Sequence, residues 1–164
     1  AALALGREII CVTGDGSFMM NMQELQTIRH YHLPVKIVLF SNDGYGAIRQ
    51  TNKNFFDGLY IGCDPDSGVS FPDFGKVAAA FGFGFYRCEN CGMLKEGIAW
   101  LLQAEQAAVL EVVQTPEDQP LPKVMSKIRE DGSFYTPPLH DMYPFLDEVR
   151  MEKLMIGYNR EDWK

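Results

Sequence analysis

The chain has 164 residues, 46% of them hydrophobic and 23% charged, which is the composition of an ordinary globular domain able to bury a core. Its formal net charge of −7 argues against a nucleic-acid partner, because binding a phosphate backbone needs clustered Lys and Arg. Since no stretch approaches the roughly 20 apolar residues of a membrane helix, and the first residues lack the pattern of a signal peptide, we expect no membrane association.

Strand-like and helix-like segments alternate along the first part of the chain. Residues 1–5 are typical of the end of a helix, so the chain is expected to be a fragment, truncated at its N-terminus, or one domain of a longer polypeptide. Residues 8–13 form a β-branched run that stops at a glycine, as a buried parallel strand does. Residues 18–31 carry apolar side chains at helical intervals, and residues 35–40 are predicted to form a second strand.

A long segment without periodicity separates these elements from the next ones. Residues 52–72, rich in Asn, Asp, Gly and Pro, are predicted to form a loop. Beyond it the alternation continues, with Pro72 and Asp73 in the first turn of a helix: helix at 71–81, strand at 83–87, helix at 93–104 and strand at 108–114. This order predicts an α/β fold of three layers, α/β/α, with a mainly parallel sheet.

The composition changes after residue 115, and we predict a domain boundary there. Residues 116–122 form a proline-punctuated linker, and residues 125–154 form a tail with turns at Asp131-Gly132 and Pro137-Pro138. The apolar residues of this tail are too numerous for a solvated arm. Residues 116–164 are therefore predicted to be an irregular C-terminal segment that packs on the domain of residues 1–115 or on a neighbouring domain or subunit.

Two of the four cysteines, Cys88 and Cys91, have the spacing CENC. No second pair is present to complete a tetrahedral zinc site. We predict two thiols that flank a turn in a reducing cytoplasm, and a redox pair is the alternative.

The most informative residues stand at the ends of the first two strands: Gly14-Asp15-Gly16-Ser17 after the first and Ser41-Asn42-Asp43-Gly44 after the second. The carboxyl ends of parallel strands meet at one edge of a sheet, so the two loops are expected to face each other. A carboxylate oxygen, an amide oxygen and a loop carbonyl form a set that suits Mg²⁺ completed by phosphate oxygens and water. A shared ion requires the Asp15 carboxylate and the Asn42 amide oxygen to lie within about 8 Å of each other.

The same region has the features of an anion site. Gly16 and Ser17 open the predicted helix, where N–H groups and the helix dipole can meet an anion, and glycine lets the backbone approach closely. Ser17 could instead be only the residue that caps this helix, a reading compatible with an anion site. Together with the metal ligands, these features predict a diphosphate site.

These residues carry a resemblance to a known family. GDGSFMMNMQELQT followed by LPVKIVLFSNDGYGAIRQ is similar to the thiamine-diphosphate signature of the acetolactate synthase and pyruvate decarboxylase superfamily, although Ser41 replaces the first of its usual two asparagines. The resemblance implies that residues 1–115 bind thiamine diphosphate and Mg²⁺. The implied metal ligands are Asp15, the Asn42 side chain and the Gly44 carbonyl, and the implied cofactor-binding residues are Gly14, Asp15, Gly16, Ser17, Asn42, Gly44, Tyr45, Gly46 and Ala47.

The resemblance also implies a parent enzyme that decarboxylates a 2-keto acid such as pyruvate and ligates the two-carbon unit to an acceptor carbonyl. The activating glutamate would lie on a pyrimidine-binding domain of a partner subunit, in a homodimer or homotetramer, and the residue that bends the cofactor would lie upstream of Ala1. No catalytic residue is therefore expected in this chain, which alone should be inactive. Ile48 stands where pyruvate decarboxylases carry a glutamate, and this favours carboligation.

Several alternatives remain open. The parent could be a 2-keto acid decarboxylase that does not ligate, an oxidase with FAD in a domain not present here, or a non-catalytic module that kept the fold. A dinucleotide site is disfavoured because no GxGxxG follows the first strand. Glu24 is expected to be structural, and the acidic residues Asp57, Asp64 and Asp66 lack the spacing of a calcium loop.

Overall fold

Four parallel strands form the centre of the first unit of the chain. The structure, a computed structural model, describes residues 1–118 and 121–155, and the chain divides into two units, residues 1–117 and 118–164. The strands of the first unit lie in the order β1-β2-β4-β3, where β1 is Ile9–Gly14, β2 is Val35–Ser41, β3 is Gly84–Cys88 and β4 is Ala108–Val113.

Helices cover both faces of this sheet: α1 (Ala2–Leu5), α2 (Asp15–Met20), α3 (Glu24–His30), α4 (Gly46–Phe55), α5 (Phe74–Ala80) and α6 (Leu94–Gln103). Alternate residues of a strand point to opposite faces. Val35, Ile37 and Leu39 therefore pack among side chains of α2, α3 and α5, whereas Leu110 packs against Leu101 of α6 on the other face. The three-layer α/β/α fold with a parallel sheet is confirmed.

The register of β1 and β2 determines where the two predicted loops begin. Gly14, the last residue of β1, lies opposite Phe40 of β2. Asp15, which follows β1, and Ser41, the last residue of β2, consequently lie side by side at the carboxyl edge of the sheet.

The single helix predicted over residues 18–31 is wrong, since α2 and α3 are separate. Asn21 has a φ of −129°, outside the helical range, and its side-chain amide donates to the carbonyl of Ser17 at 3.4 Å. This side-chain bond competes with the next turn and ends α2. The predicted apolar stripe is still used, because Leu25 of α3 is buried in the core.

Two boundaries near the predicted loop also differ. Residues 52–55 belong to α4, a mostly polar helix with few apolar residues to mark it, and residues 65–67 form a short 3₁₀ helix. Helix α5 begins only at Phe74, because the Asp73 side chain accepts the N–H of Lys76 at 3.0 Å and so caps it. Pro72 therefore precedes the helix.

Within its described residues, the second unit contains a two-stranded antiparallel hairpin, β5 (Lys127–Ile128) and β6 (Phe134–Tyr135), and one helix, α7 (Glu148–Leu154). The hairpin turns at Asp131-Gly132, where the φ of Gly132 is 81°. Hydrogen bonds from Ser133 lower the pKa of the Asp131 carboxyl. Helix α7 departs from the irregular tail that we predicted, and the predicted linker falls partly on residues 119–120, outside the described residues.

No helix in the described part of the chain is long and apolar enough to cross a membrane.

The cysteines of the CENC motif have different surroundings. All four cysteines of the chain are free thiols. In the CENC motif, Cys88 is buried and Cys91 is exposed. The Cys88 thiol donates to the carbonyl of Met93 at 3.5 Å, and burial, followed by the charge of Glu96, raises its pKa. A thiol with a raised pKa stays protonated and unreactive at neutral pH.

We therefore expect iodoacetamide at pH 7.5 to alkylate Cys91 at least about tenfold faster than Cys88, since the thiolate is the reacting species. Mass spectrometry of peptides from the folded protein measures the two rates. In denaturant the difference should disappear. Fast alkylation of Cys88, or a Cys88–Cys91 disulfide under mild oxidants, would support the redox alternative instead.

Candidate functional site

The Asp15 carboxylate joins the two predicted loops. Asp15 is only 3% exposed, at the first position of α2. Its Oδ2 accepts backbone N–H groups of the second loop, from Asn42 at 2.9 Å, Asp43 at 2.8 Å and Gly44 at 3.4 Å, and its Oδ1 accepts the N–H of Gly16 at 2.8 Å. Hydrogen bonds to a charged acceptor are stronger than neutral ones, so this single group holds the second loop against the first.

The Asn42 side chain brings an oxygen that, among the described residues, has no partner. The backbone nitrogen of Asn42 lies 2.9 Å from Asp15 Oδ2, and covalent geometry keeps the amide oxygen within about 4.5 Å of that nitrogen. The amide and carboxylate oxygens therefore lie within roughly 7.5 Å of each other. Within the described residues Asn42 Oδ1 is buried and accepts no hydrogen bond. Such atoms are rare and often indicate an ion or water.

The available oxygens suit a hard cation. Asp15 Oδ1 accepts one N–H and keeps a lone pair, and Asn42 Oδ1 keeps both of its own. The described residues contain no group of three His, Cys, Asp or Glu side chains that could hold a metal. A site here would accordingly combine one carboxylate with amide and main-chain oxygens, a set that suits Mg²⁺ completed by phosphate and water. The residues present fit such an ion.

The glycines of both loops allow close packing. A Cβ on Gly16 would come within 2.6 Å of the Tyr45 ring, and a Cβ on Gly44 would collide with Arg49 Nη2 and the carbonyl oxygen of Cys63. The Tyr45 ring also meets Phe71 edge to face, with centroids 5.8 Å apart. The space beside Gly16 is thus filled by Tyr45, although we expected these glycines chiefly to admit an anion.

The predicted anion donors differ in how they are engaged. The N–H of Gly16 donates to Asp15 Oδ1, and the N–H of Tyr45 donates to the Cys63 carbonyl. Ser17 is exposed. Ser17 is not the capping residue, because α2 begins at Asp15 after Gly14. Helix α4 begins at Gly46 and has no side-chain cap. Its first N–H groups, from Gly46 and Ala47, lack helical partners and can meet an anion.

Sequence reasoning missed Arg49. This residue of α4 is 8% exposed, and its Nη2 donates to the main-chain carbonyl of Asn42 at 2.8 Å. Helix α4 was not predicted because its residues are mostly polar, and an arginine among polar residues is expected to be exposed. Glu24, in contrast, accepts a hydrogen bond from Thr27 at 2.9 Å on the exposed side of α3, outside the site.

Comparison with known sequences shows which protein family this chain matches. Residues 1–112 match the family described as thiamine pyrophosphate enzyme, C-terminal TPP binding domain. Acetolactate synthase large subunits from Parasynechococcus marenigrum and Pyropia yezoensis are 35% and 34% identical, over 65% and 71% of this chain. The isozyme 2 large subunit of Escherichia coli is 45% identical over 45% of the chain. The chain spans only 17%, 19% and 13% of these three relatives.

Solved structures of similar fold carry the names of decarboxylases. The thiamine diphosphate-dependent 4-hydroxybenzoylformate decarboxylase of Rhodococcus jostii RHA1 aligns with a TM-score of 0.62 and 28% identity, covering 70% of this chain and 21% of that protein. Benzoylformate decarboxylase from Polynucleobacter necessarius aligns with a TM-score of 0.61 and 25% identity, covering 73% and 22%.

Proposed function

Since this chain belongs to the thiamine pyrophosphate enzymes as their C-terminal cofactor-binding domain, we propose that it holds the diphosphate of thiamine diphosphate through Mg²⁺ bound by Asp15, Asn42 and the carbonyl of Gly44. The observation that carries this proposal is the buried, unpartnered Oδ1 of Asn42 beside the Asp15 carboxylate. A cation could be bound by this oxygen and by the remaining lone pair of Asp15 Oδ1.

The chain's own residues orient the cofactor and do not react with it. The diphosphate would lie between the segment Gly14–Ser17 and the backbone of residues 45–47, where the uncapped start of α4 offers N–H groups. The metal would offset the charge that the diphosphate brings toward Asp15. When bound, thiamine diphosphate supplies the chemistry that cleaves and forms bonds at a carbonyl carbon, and the protein positions it.

We further propose that the whole protein is an acetolactate synthase-like enzyme of the cytoplasm. It would decarboxylate a 2-keto acid such as pyruvate and ligate the two-carbon unit to an acceptor carbonyl. The names of its sequence relatives support this activity, and the length of those relatives supports a larger protein. A pyrimidine-binding domain from a partner subunit would complete the site, in a homodimer or homotetramer. This domain alone would then be inactive.

A second candidate is a 2-keto acid decarboxylase that releases an aldehyde, because the two solved structures named above are decarboxylases. An oxidase with FAD in another domain is the third possibility. The three enzymes use the same cofactor site and differ in the product.

Two measurements on the full-length protein test these proposals. Calorimetric titration with thiamine diphosphate should show binding with Mg²⁺ and none with excess chelator. Absence of Mg²⁺-dependent binding would indicate a non-catalytic module.

NMR with ¹³C-labelled pyruvate, with and without an added aldehyde, then identifies the product. We expect a 2-hydroxy ketone or 2-hydroxy acid. Free acetaldehyde alone would indicate the decarboxylase, and acetate formed with O₂ uptake the oxidase.

A further inference from the structure

Arg49 is a buried cation that has no anionic partner among the residues that the structure describes. Its side chain belongs to the first turn of α4, is 8% exposed, and takes part in none of the ion pairs formed among the described residues. Nη2 donates to the carbonyl of Asn42 at 2.8 Å, while Nε is buried and has no partner. A buried charge is costly, so a guanidinium in this place needs a reason beyond packing.

Only two side-chain polar atoms in the described part of the chain are buried without a hydrogen bond, Asn42 Oδ1 and Arg49 Nε. They belong to residues joined by a hydrogen bond, at one end of one loop. Native proteins rarely leave such atoms unpaired. Two unpaired atoms on residues that are bonded to each other indicate a site built for a ligand.

The backbone of Asn42 is held at both ends. Its N–H donates to the Asp15 carboxylate at 2.9 Å and its carbonyl accepts from the Arg49 guanidinium at 2.8 Å. A Cβ on Gly44 would collide with the same guanidinium, so Arg49 also packs under the loop. The N–H and the carbonyl of Asn42 belong to the two peptide units that flank its Cα, so holding both restricts φ and ψ at this residue and, with them, the direction of its side chain.

The Asn42 amide is restricted at its nitrogen as well. A Cβ on Gly46 would come within 2.7 Å of Asn42 Nδ2, so this nitrogen lies against the start of α4. The oxygen at the other end of the amide is the atom that remains unpartnered. With the backbone held by Arg49 and the nitrogen against Gly46, the direction of the amide oxygen is restricted.

We propose that Arg49 is a positioning residue: by holding the carbonyl of Asn42, its guanidinium directs the amide oxygen of that residue toward the Mg²⁺ site. This inference rests on the proposed cofactor binding and adds to it a residue that touches neither metal nor cofactor. Groups that orient a metal ligand affect metal affinity by about 10–100-fold when removed.

The test compares Arg49→Met with Lys53→Met in the full-length protein. Lys53 is an exposed cation on the same helix, so the control removes the same charge from α4 without touching the loop. The Mg²⁺ concentration that half-saturates thiamine diphosphate binding is measured by calorimetry, and the melting temperature is measured without ligands. We expect Arg49→Met to raise that concentration by about 10–100-fold and Lys53→Met to leave it unchanged. Arg49→Lys should bring it part of the way back.

A double variant separates positioning from folding. In the Asn42→Ala background the amide oxygen is absent, so adding Arg49→Met should raise the half-saturating Mg²⁺ concentration much less than it does alone. A purely structural Arg49 would instead lower the melting temperature and leave the Mg²⁺ dependence unchanged, and that result would overturn the inference. Should Arg49→Met fail to fold, the test uses Arg49→Gln, whose side chain is too short to reach the carbonyl. We expect Arg49→Gln to raise the half-saturating Mg²⁺ concentration by the same factor. A wild-type Mg²⁺ dependence in Arg49→Gln would refute the positioning role.

The outcomes also distinguish this inference from the proposed function. A wild-type protein without Mg²⁺-dependent cofactor binding contradicts both. A wild-type protein that binds, together with an Arg49→Met protein indistinguishable from Lys53→Met, contradicts the role of Arg49 alone.

Discussion

Replacing Asp15 with alanine is expected to abolish the Mg²⁺-dependent retention of thiamine diphosphate by the full-length protein and to destabilise its fold. The carboxylate is 3% exposed and accepts N–H groups from Gly16, Asn42, Asp43 and Gly44. Each buried donor that loses its acceptor costs about 1–3 kcal/mol, so we expect the free energy of unfolding to fall by at least about 3 kcal/mol. Gel filtration in Mg²⁺ followed by cofactor analysis measures retention, and urea unfolding measures stability.

The matched comparison is Asp15→Asn against Asp66→Asn, because each removes one negative charge. Asp66 is exposed on the short 3₁₀ helix at residues 65–67, so its variant should retain the cofactor like the wild type. Asp15→Asn keeps the shape of the side chain but places an NH₂ group against N–H donors, and it should also lose the cofactor. Full retention by Asp15→Asn would refute the assigned metal ligand.

Replacing Asn42 with alanine should weaken cofactor binding strongly and leave the ligand-free fold almost unchanged. The backbone bonds of Asn42, to Asp15 and from Arg49, do not involve its side chain, and Oδ1 has no protein partner to lose. We expect the free energy of unfolding to change by less than about 1 kcal/mol, as for substitutions away from packed or bonded groups. The Kd for thiamine diphosphate in Mg²⁺ should rise at least about 100-fold, since a metal ligand is lost and not merely reoriented.

Calorimetry and urea unfolding of the same preparations check both parts of this expectation. Lys53→Met on the neighbouring helix α4 serves again as the control for a substitution outside the site. The pattern is informative because Asp15→Ala should impair both binding and stability, whereas Asn42→Ala should impair binding alone. If Asn42→Ala lost several kcal/mol of stability while binding the cofactor normally, Asn42 would be a structural residue of the loop.

Much of the fold could be read from local patterns. The β-branched runs ending in glycine indicated β1 and β2, and their alternation with helices indicated a parallel sheet, because these periodicities are properties of the backbone itself. The errors occurred where side chains acted against the pattern. Asn21 ends α2 through a bond to the main chain, and α4 is so rich in polar residues that its sequence resembles a loop.

The sequence by itself determined which residues could form a metal site, since GDGS and SNDG stand at the ends of two strands whose order makes them neighbours. Only the tertiary structure decided how those residues are held. It showed the Asp15 carboxylate bonded to three N–H groups of a loop 27 to 29 residues away, and it showed the Arg49 guanidinium on the carbonyl of Asn42. The physical reason is that strands and the residues at their ends follow from local periodicity, whereas the partner of a buried charge depends on groups that meet only when the chain is folded.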